Sequence, residues 1–117
     1  EKNAASVGIV RDNLRLCRFQ ERALLLNRDA WQALPALERE GPFDLVFLDP
    51  PYHRGLAERA LQEIAARKLL APQGCVCAET AADEELPEEC AGLGRSLQRR
   101  YGNVMIHLYQ FFREETP

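Results

Sequence analysis

Residues 43–52 read Phe43-Asp44-Leu45-Val46-Phe47-Leu48-Asp49-Pro50-Pro51-Tyr52. The first six are β-prone and nearly all apolar, the composition of a strand buried on both faces. Asp49-Pro50-Pro51 ends that strand, because a second proline removes the backbone donor that pairing needs. Downstream, Leu56, Ala60, Leu61, Ile64 and Ala65 recur at helical spacing and predict a helix from Gly55 to Leu70. Ala71-Pro72-Gln73-Gly74 reads as a turn into a strand from Cys75 to Glu79. Thr80 to Gly94 is acidic and irregular, read as a short helix plus loop. Leu97–Tyr101 and Asn103–Phe112, joined through Gly102, form an antiparallel hairpin pattern.

Upstream, Asp29 to Arg39 has helical spacing through Trp31, Leu34 and Leu37, with Pro35 early in the helix or kinking it. The apolar run Ala23-Leu24-Leu25-Leu26 predicts a buried strand over Arg22–Asn27. Val7, Val10 and Leu14 predict a helix from Ala4 to Leu16, with Asn3 as its N-cap. Helices and apolar strands thus alternate before a closing hairpin. That order implies an α/β domain spanning 1–117, a parallel sheet with helices on both faces and an antiparallel addition at the end.

Composition narrows the class. The 117 residues carry 15 basic and 18 acidic side chains, a net charge of −3, which excludes a generally basic nucleic-acid binder but not a local basic patch. Cys17, Cys75, Cys77 and Cys90 include no C-x-x-C pair. Cys75 and Cys77 fall on one face of a strand, poorly placed to bridge each other. All four read as buried or half-buried free thiols of a reducing compartment, with the cytoplasm as the default location. No tetrahedral ligand spacing joins them to His53 or His107, so no metal site is expected. No apolar run approaches the ~20 residues of a membrane span. The chain opens at Glu1 rather than Met, directly before a helix pattern, which reads as the interior of a longer protein.

Ligands of open α/β sheets sit beyond the carboxyl ends of the strands. Asp29, Asp49 and Glu79 occupy such positions. Asp49 to Tyr52 make chemical sense as a unit. An exocyclic amine on a nucleic-acid base is a weak nucleophile, because its lone pair is delocalised into the ring. The Asp49 carboxylate and the Pro50 carbonyl can both accept from that amine and draw the lone pair back onto nitrogen. Pro51 removes a donor and holds Pro50 extended, leaving a stiff edge of acceptors. Tyr52 offers a face on which a flipped-out base stacks, worth roughly 1–3 kcal/mol. The same residues could also simply stop a strand. Asp29 is equally suited to capping the helix after it, and Glu1 and Glu79 to being solvated acids.

The chain resembles the bacterial family that methylates the 2-amino group of a guanine in small-subunit (16S) ribosomal RNA (RsmD). The carriers are Glu1-Lys2-Asn3 opening a helix, Asn27-Arg28-Asp29-Ala30, residues 43–52 as quoted, His53-Arg54-Gly55-Leu56, Leu69 to Gly74, and Tyr101-Gly102 with Leu108-Tyr109. The resemblance implies a Rossmann-like class I S-adenosylmethionine-dependent methyltransferase, three-layer α/β/α, with a C-terminal antiparallel hairpin and truncated at the N-terminus. It implies S-adenosylmethionine as cofactor, with Glu1 on the ribose hydroxyls, Asp29 on the adenine amine, Ala30 in backbone contact and Asp49 also among the cofactor-binding residues, and Asp49 to Tyr52 as the catalytic loop. Arg54 is expected to contact RNA phosphate. The partner is ribosomal RNA, within a small-subunit particle.

Asp-Pro-Pro-Tyr is shared with adenine amino methyltransferases of DNA and RNA, which keeps that activity as the alternative. Glutamine methyltransferases of the release-factor type usually carry Asn in place of Asp49. The family's glycine-rich cofactor loop and first two strands are absent. Two strands, 22–27 and 43–48, are therefore expected to lose a neighbour and expose an edge, pairing with each other or in a dimer. Weak cofactor binding and inactivity of the isolated chain follow, and a non-catalytic truncated module stands as the reading from another class.

Overall fold

A computed structural model describes residues 1–112. It divides into two compact units, Glu1–Arg39 and Glu40–Pro117.

In the first unit, helix α1 runs over Ala4–Leu16, as expected, and the Asn3 side chain caps it by accepting from the Ser6 N–H at 3.1 Å. Its C-terminus closes through Arg18 at φ 59°, with Arg18 N–H donating to Arg15 and Phe19 N–H donating to Leu14. This is a Schellman stop made without glycine. Helix α2, Ala30–Glu40, contains Pro35. The strand expected over Arg22–Asn27 does not form. Its apolar run is not buried either, and Leu24 is 62% exposed. A strand exists only through ladder partners, and the backbone bonds here are a turn, Arg22 N–H donating to the Phe19 carbonyl at 2.9 Å, and the Glu1 amino group donating to the Leu26 carbonyl at 3.1 Å.

The second unit is a mixed five-stranded sheet in the order β1-β2-β5-β4-β3. Strand β1 (Phe43–Leu48) runs parallel to β2 (Leu70–Ala81), and helix α3 (Leu56–Ala66) makes the crossover between them. Strands β3 (Glu89–Cys90), β4 (Leu93–Tyr101) and β5 (Val104–Phe111) are antiparallel additions. The α/β class and the closing hairpin therefore stand, and the β4–β5 turn passes through Gly102 at φ 61°.

Several local expectations are corrected. Strand β1 has the expected bounds but ends the sheet order, and Leu45 and Phe47 are 54% and 73% exposed, so it is not buried on both faces. Residues 71–74 do not form a free turn. Pairing passes from Phe43↔Leu70 to Leu45↔Cys75, so β2 absorbs three extra residues as an irregularity beside β1. A Cβ at Gly74 would lie 2.6 Å from the Leu70 side chain and 3.0 Å from the Asp44 carbonyl, which explains glycine there. The 80–94 region contains no helix; β2 continues to Ala81, a loop follows, and β3 begins at Glu89. All four cysteines are free, but Cys17 is exposed.

Alternation along β2 and β5 builds the core. Val76, Ala78 and Thr80 of β2 and His107 and Tyr109 of β5 are buried, together with Ala57, Leu61 and Ile64 of α3, which lies against β2. The Tyr109 hydroxyl donates to the Pro87 carbonyl at 2.6 Å, and the Arg95 guanidinium donates to the Leu86 carbonyl at 3.1 Å, tying the loop before β3 to the sheet.

Two predictions follow from this packing. Lys68 ends α3 in the left-handed region at φ 55°, accepting a backbone strain that glycine would not. Lys68→Gly should raise unfolding stability by about 0.5–1 kcal/mol in urea titration; a loss would show that the lysine side chain contributes there. The second concerns His107. The Thr80 hydroxyl donates to the Ala81 carbonyl at 3.0 Å, so it accepts from His107 Nε2–H at 3.0 Å, which leaves the buried Nδ1 as a bare acceptor. Burial, aided by the Arg95 charge and opposed by Glu84, lowers the imidazole pKa. The unfolded chain then binds more protons below about pH 6.5, so stability falls as pH drops through that value. The urea midpoint should show this decline, and His107→Gln should flatten it. An equal decline in the variant rejects the assignment.

Candidate functional site

The parallel pair ends at the rung Leu48↔Ala78, and the next residues on the two strands are Asp49 and Glu79. Two of the three expected strand-end acids therefore stand side by side at the carboxyl edge of the sheet. Asp49 is exposed, and its side chain makes no hydrogen bond to another described residue. Pro50 and Pro51 carry the chain off the edge, and Tyr52 turns back so that its hydroxyl donates to Glu79 Oε1 at 2.6 Å. The ring remains 37% exposed. Glu79, which the sequence marks only as an acid at a strand end, is thus what orients the candidate stacking ring.

The loop is fastened again one residue later. His53 takes a left-handed conformation, φ 60°. Its backbone N–H donates to Glu84 Oε1 at 2.6 Å, and its Nε2 meets Asp83 Oδ1 at 2.8 Å. The contact with His53 holds the Asp83 carboxyl below its ordinary pKa. Tyr52 shifts the other way. Its hydrogen bond to Glu79 first, then burial and the charges of Glu79, Asp49 and Glu84, raise its pKa to about 12. The phenol stays protonated and keeps donating at any physiological pH.

Beside Tyr52 opens a cavity of about 570 Å³ lined by Tyr52, His53, Ala81, Ala82, Asp83, Arg100 and Asn103. Arg54 lies exposed on the same loop but outside that lining. Glu1 and Asp29 belong to the first unit. Glu1 Oε1 accepts from the Asn3 N–H at 2.9 Å, and Asp29 Oδ1 accepts from the Trp31 N–H at 2.9 Å, capping α2 at Ala30. The bond from the Glu1 amino group to Leu26 sets Glu1 beside the segment that leads to Asp29. One carboxylate oxygen of each acid makes no hydrogen bond to another described residue. No group of described His, Cys, Asp or Glu residues is arranged to hold a metal ion. No helix among the described residues is long and apolar enough to cross a membrane.

Sequence reasoning missed Asp83, Glu84 and Asn103. The acidic run at 83–85 was visible in composition, but its engagement with a loop about 30 residues away was not. The Tyr52–Glu79 bond predicts a measurable titration. In Glu79→Gln the Tyr52 phenol should ionise nearer its ordinary value of about 10, seen as an earlier rise in phenolate absorbance than in the parent protein. Superimposable curves would show that Glu79 does not hold the hydroxyl.

A family model described as "Conserved hypothetical protein 95" matches residues 1–110. A Haemophilus influenzae protein named ribosomal RNA small subunit methyltransferase D is 34% identical over 92 residues, covering 77% of this chain and 46% of that protein. A Bacillus subtilis protein, YlbH, is 29% identical over 111 residues, 94% of this chain and 60% of its own length. The chain therefore spans about half the length of these curated relatives. The solved structure of a conserved hypothetical protein from Streptococcus pyogenes superposes with a TM-score of 0.84 at 37% identity, covering 93% of this chain and 67% of that one. The solved structure of a "putative methylase" from Haemophilus influenzae superposes with a TM-score of 0.78 at 27% identity, covering 97% of this chain and 70% of that one, so the α/β sheet with its crossover helix is a Rossmann-like methyltransferase fragment. The chain belongs to the conserved hypothetical protein 95 family, that of the ribosomal RNA small subunit methyltransferase D proteins.

Proposed function

We propose that the protein of which this chain forms the Asp49-bearing part methylates the exocyclic 2-amino group of a guanine in small-subunit ribosomal RNA, in the cytoplasm, with S-adenosylmethionine as donor. The observation that carries the proposal is the exposed, uncommitted Asp49 carboxylate followed by a tyrosine ring fixed beside an open cavity. Asp49 and the Pro50 carbonyl accept the two hydrogens of the target amine, which localises its lone pair. Tyr52 stacks the extruded base and orients that amine. As the new N–C bond forms, the donor's sulfur–methyl bond would break to leave a neutral thioether, and the proton that nitrogen must lose passes toward Asp49, which is open to solvent. Positioning supplies most of the acceleration in such a reaction.

The cofactor would be held through Glu1 and Asp29, with Ala30 in backbone contact. The free carboxylate oxygens of those two acids are acceptors suited to ribose hydroxyls and an adenine amine, so the residue types present fit that part of the group. When bound, the cofactor supplies an electrophilic methyl carbon on a sulfonium. Ribosomal RNA, within a small-subunit particle, is the partner this reading requires.

The test is methylation of unmodified small-subunit ribosomal RNA followed by nucleoside mass spectrometry. N2-methylguanosine should appear, and Asp49→Ala should lower kcat about 10²–10³-fold, the loss seen when one preorganised polar group is removed. N6-methyladenosine in its place would establish the adenine reading, and unimpaired turnover in Asp49→Ala would remove the carboxylate from the mechanism.

A further inference from the structure

The cavity beside Tyr52 contains more than the catalytic loop. Part of its lining comes from the tip of the β4–β5 hairpin, which backbone pairing ties to the end of β2. The rung Ala81↔Val104 pairs it with β2, and the Ala82 N–H donates to the Asn103 carbonyl at 2.8 Å. Arg100 and Asn103 both line the cavity, together with Tyr52 and His53. The Arg100 Nε donates to the Gly102 carbonyl at 2.8 Å, which fixes the guanidinium plane while its Nη groups carry no hydrogen bond to another described residue. The other charged group on the wall, Asp83, is already engaged with His53 at 2.8 Å.

We propose that Arg100 and Asn103 complete a nucleotide-binding site with Tyr52: the base stacks on Tyr52, its edge meets the Asn103 amide, and the Arg100 guanidinium takes an adjoining backbone phosphate. This rests on the reading of RNA as substrate and adds the residues that grip it. Three features favour a nucleotide over another ligand. The volume of about 570 Å³ lies within the ~300–1,000 Å³ of small-molecule sites. An aromatic ring and a planar cation lining one cavity suit the base and phosphate of one nucleotide. The guanidinium fork, immobilised through Nε, presents its remaining donors to a phosphate in the geometry that lysine cannot copy. The arginine also answers an electrostatic problem, because Asp49, Glu79 and Glu84 all act on Tyr52 and would repel a polyanion lacking a local cation.

The experiment is equilibrium binding of a fluorescein-labelled single-stranded RNA dodecamer containing one guanine, followed by anisotropy across a salt series. Arg100→Ala should weaken binding on the order of tenfold and reduce the slope of log K against log salt by about 0.7, one phosphate contact on a single strand. Arg100→Lys should restore the slope but not the affinity. Asn103→Ala should weaken binding about threefold with the slope unchanged, since a neutral hydrogen bond releases no counterion. If Arg100→Ala proves too unstable to measure, the Lys and Asn103 variants decide.

An unaltered affinity and slope in Arg100→Ala, or no RNA binding by the parent protein, overturns the assignment. Asp49→Ala in the same series separates it from the catalytic proposal. That variant should lose turnover while keeping the parental slope, so a failure of Asp49 in the transfer assay leaves the Arg100 result standing, and a failure of Arg100 in binding leaves the Asp49 result standing.

Discussion

The parallel pairing of β1 with β2 is the constraint on which the site depends. Its register, ending at Leu48↔Ala78, sets Asp49 and Glu79 on adjacent strand ends. Side chains alternate faces along a strand, so a slip of one residue would carry Glu79 to the opposite face and leave the Tyr52 hydroxyl without its acceptor. The irregularity at residues 71–74 lies upstream of these rungs, so the four from Leu45↔Cys75 to Leu48↔Ala78 run in unbroken register up to the site.

Rigidity and charge in the loop come from the same groups. Two prolines limit the backbone between Asp49 and Tyr52. Glu79 holds the ring, Glu84 holds the next amide, and Asp83 meets the imidazole. Each fastening is a carboxylate, so stiffening the loop also makes its surroundings anionic. On the proposed reading, an anionic edge favours amine hydrogens and disfavours phosphate, and Arg100 at the hairpin tip supplies the cation that a nucleic-acid strand then needs. A loop fastened by neutral amides would not raise the Tyr52 pKa as Glu79 and Glu84 do.

Sequence legibility followed the range of the interactions. Helix α1 and strand β1 have the bounds expected from Asn3 and from the two prolines, both local signals. Helix α3 ends four residues before the expected Leu70 because Lys68, not glycine, takes the left-handed position of its Schellman stop. An apolar run at 23–26 looked like a strand, yet composition cannot supply a ladder partner. At the site, Asp49 was legible from chemistry and strand-end position. The Tyr52–Glu79 bond spans 27 residues and the His53–Asp83 contact 30, and no periodicity encodes either.

On the proposed reading, the Asp49-Pro50 edge cannot choose the base. Guanine, adenine and cytosine each present an exocyclic amine with two hydrogens, and two acceptors satisfy all three equally. Discrimination requires a group that senses the rest of the base edge, where guanine pairs its amine with a ring N–H and adenine pairs its own with a ring acceptor. Pro51 offers no donor by which the loop itself could tell them apart. Asn103, in the lining of the same cavity as Tyr52 and carrying both a donor and an acceptor, is the candidate to read that distinction. Reaction class and base identity would then reside on different elements, the class at the end of β1 and the identity at the tip of the hairpin.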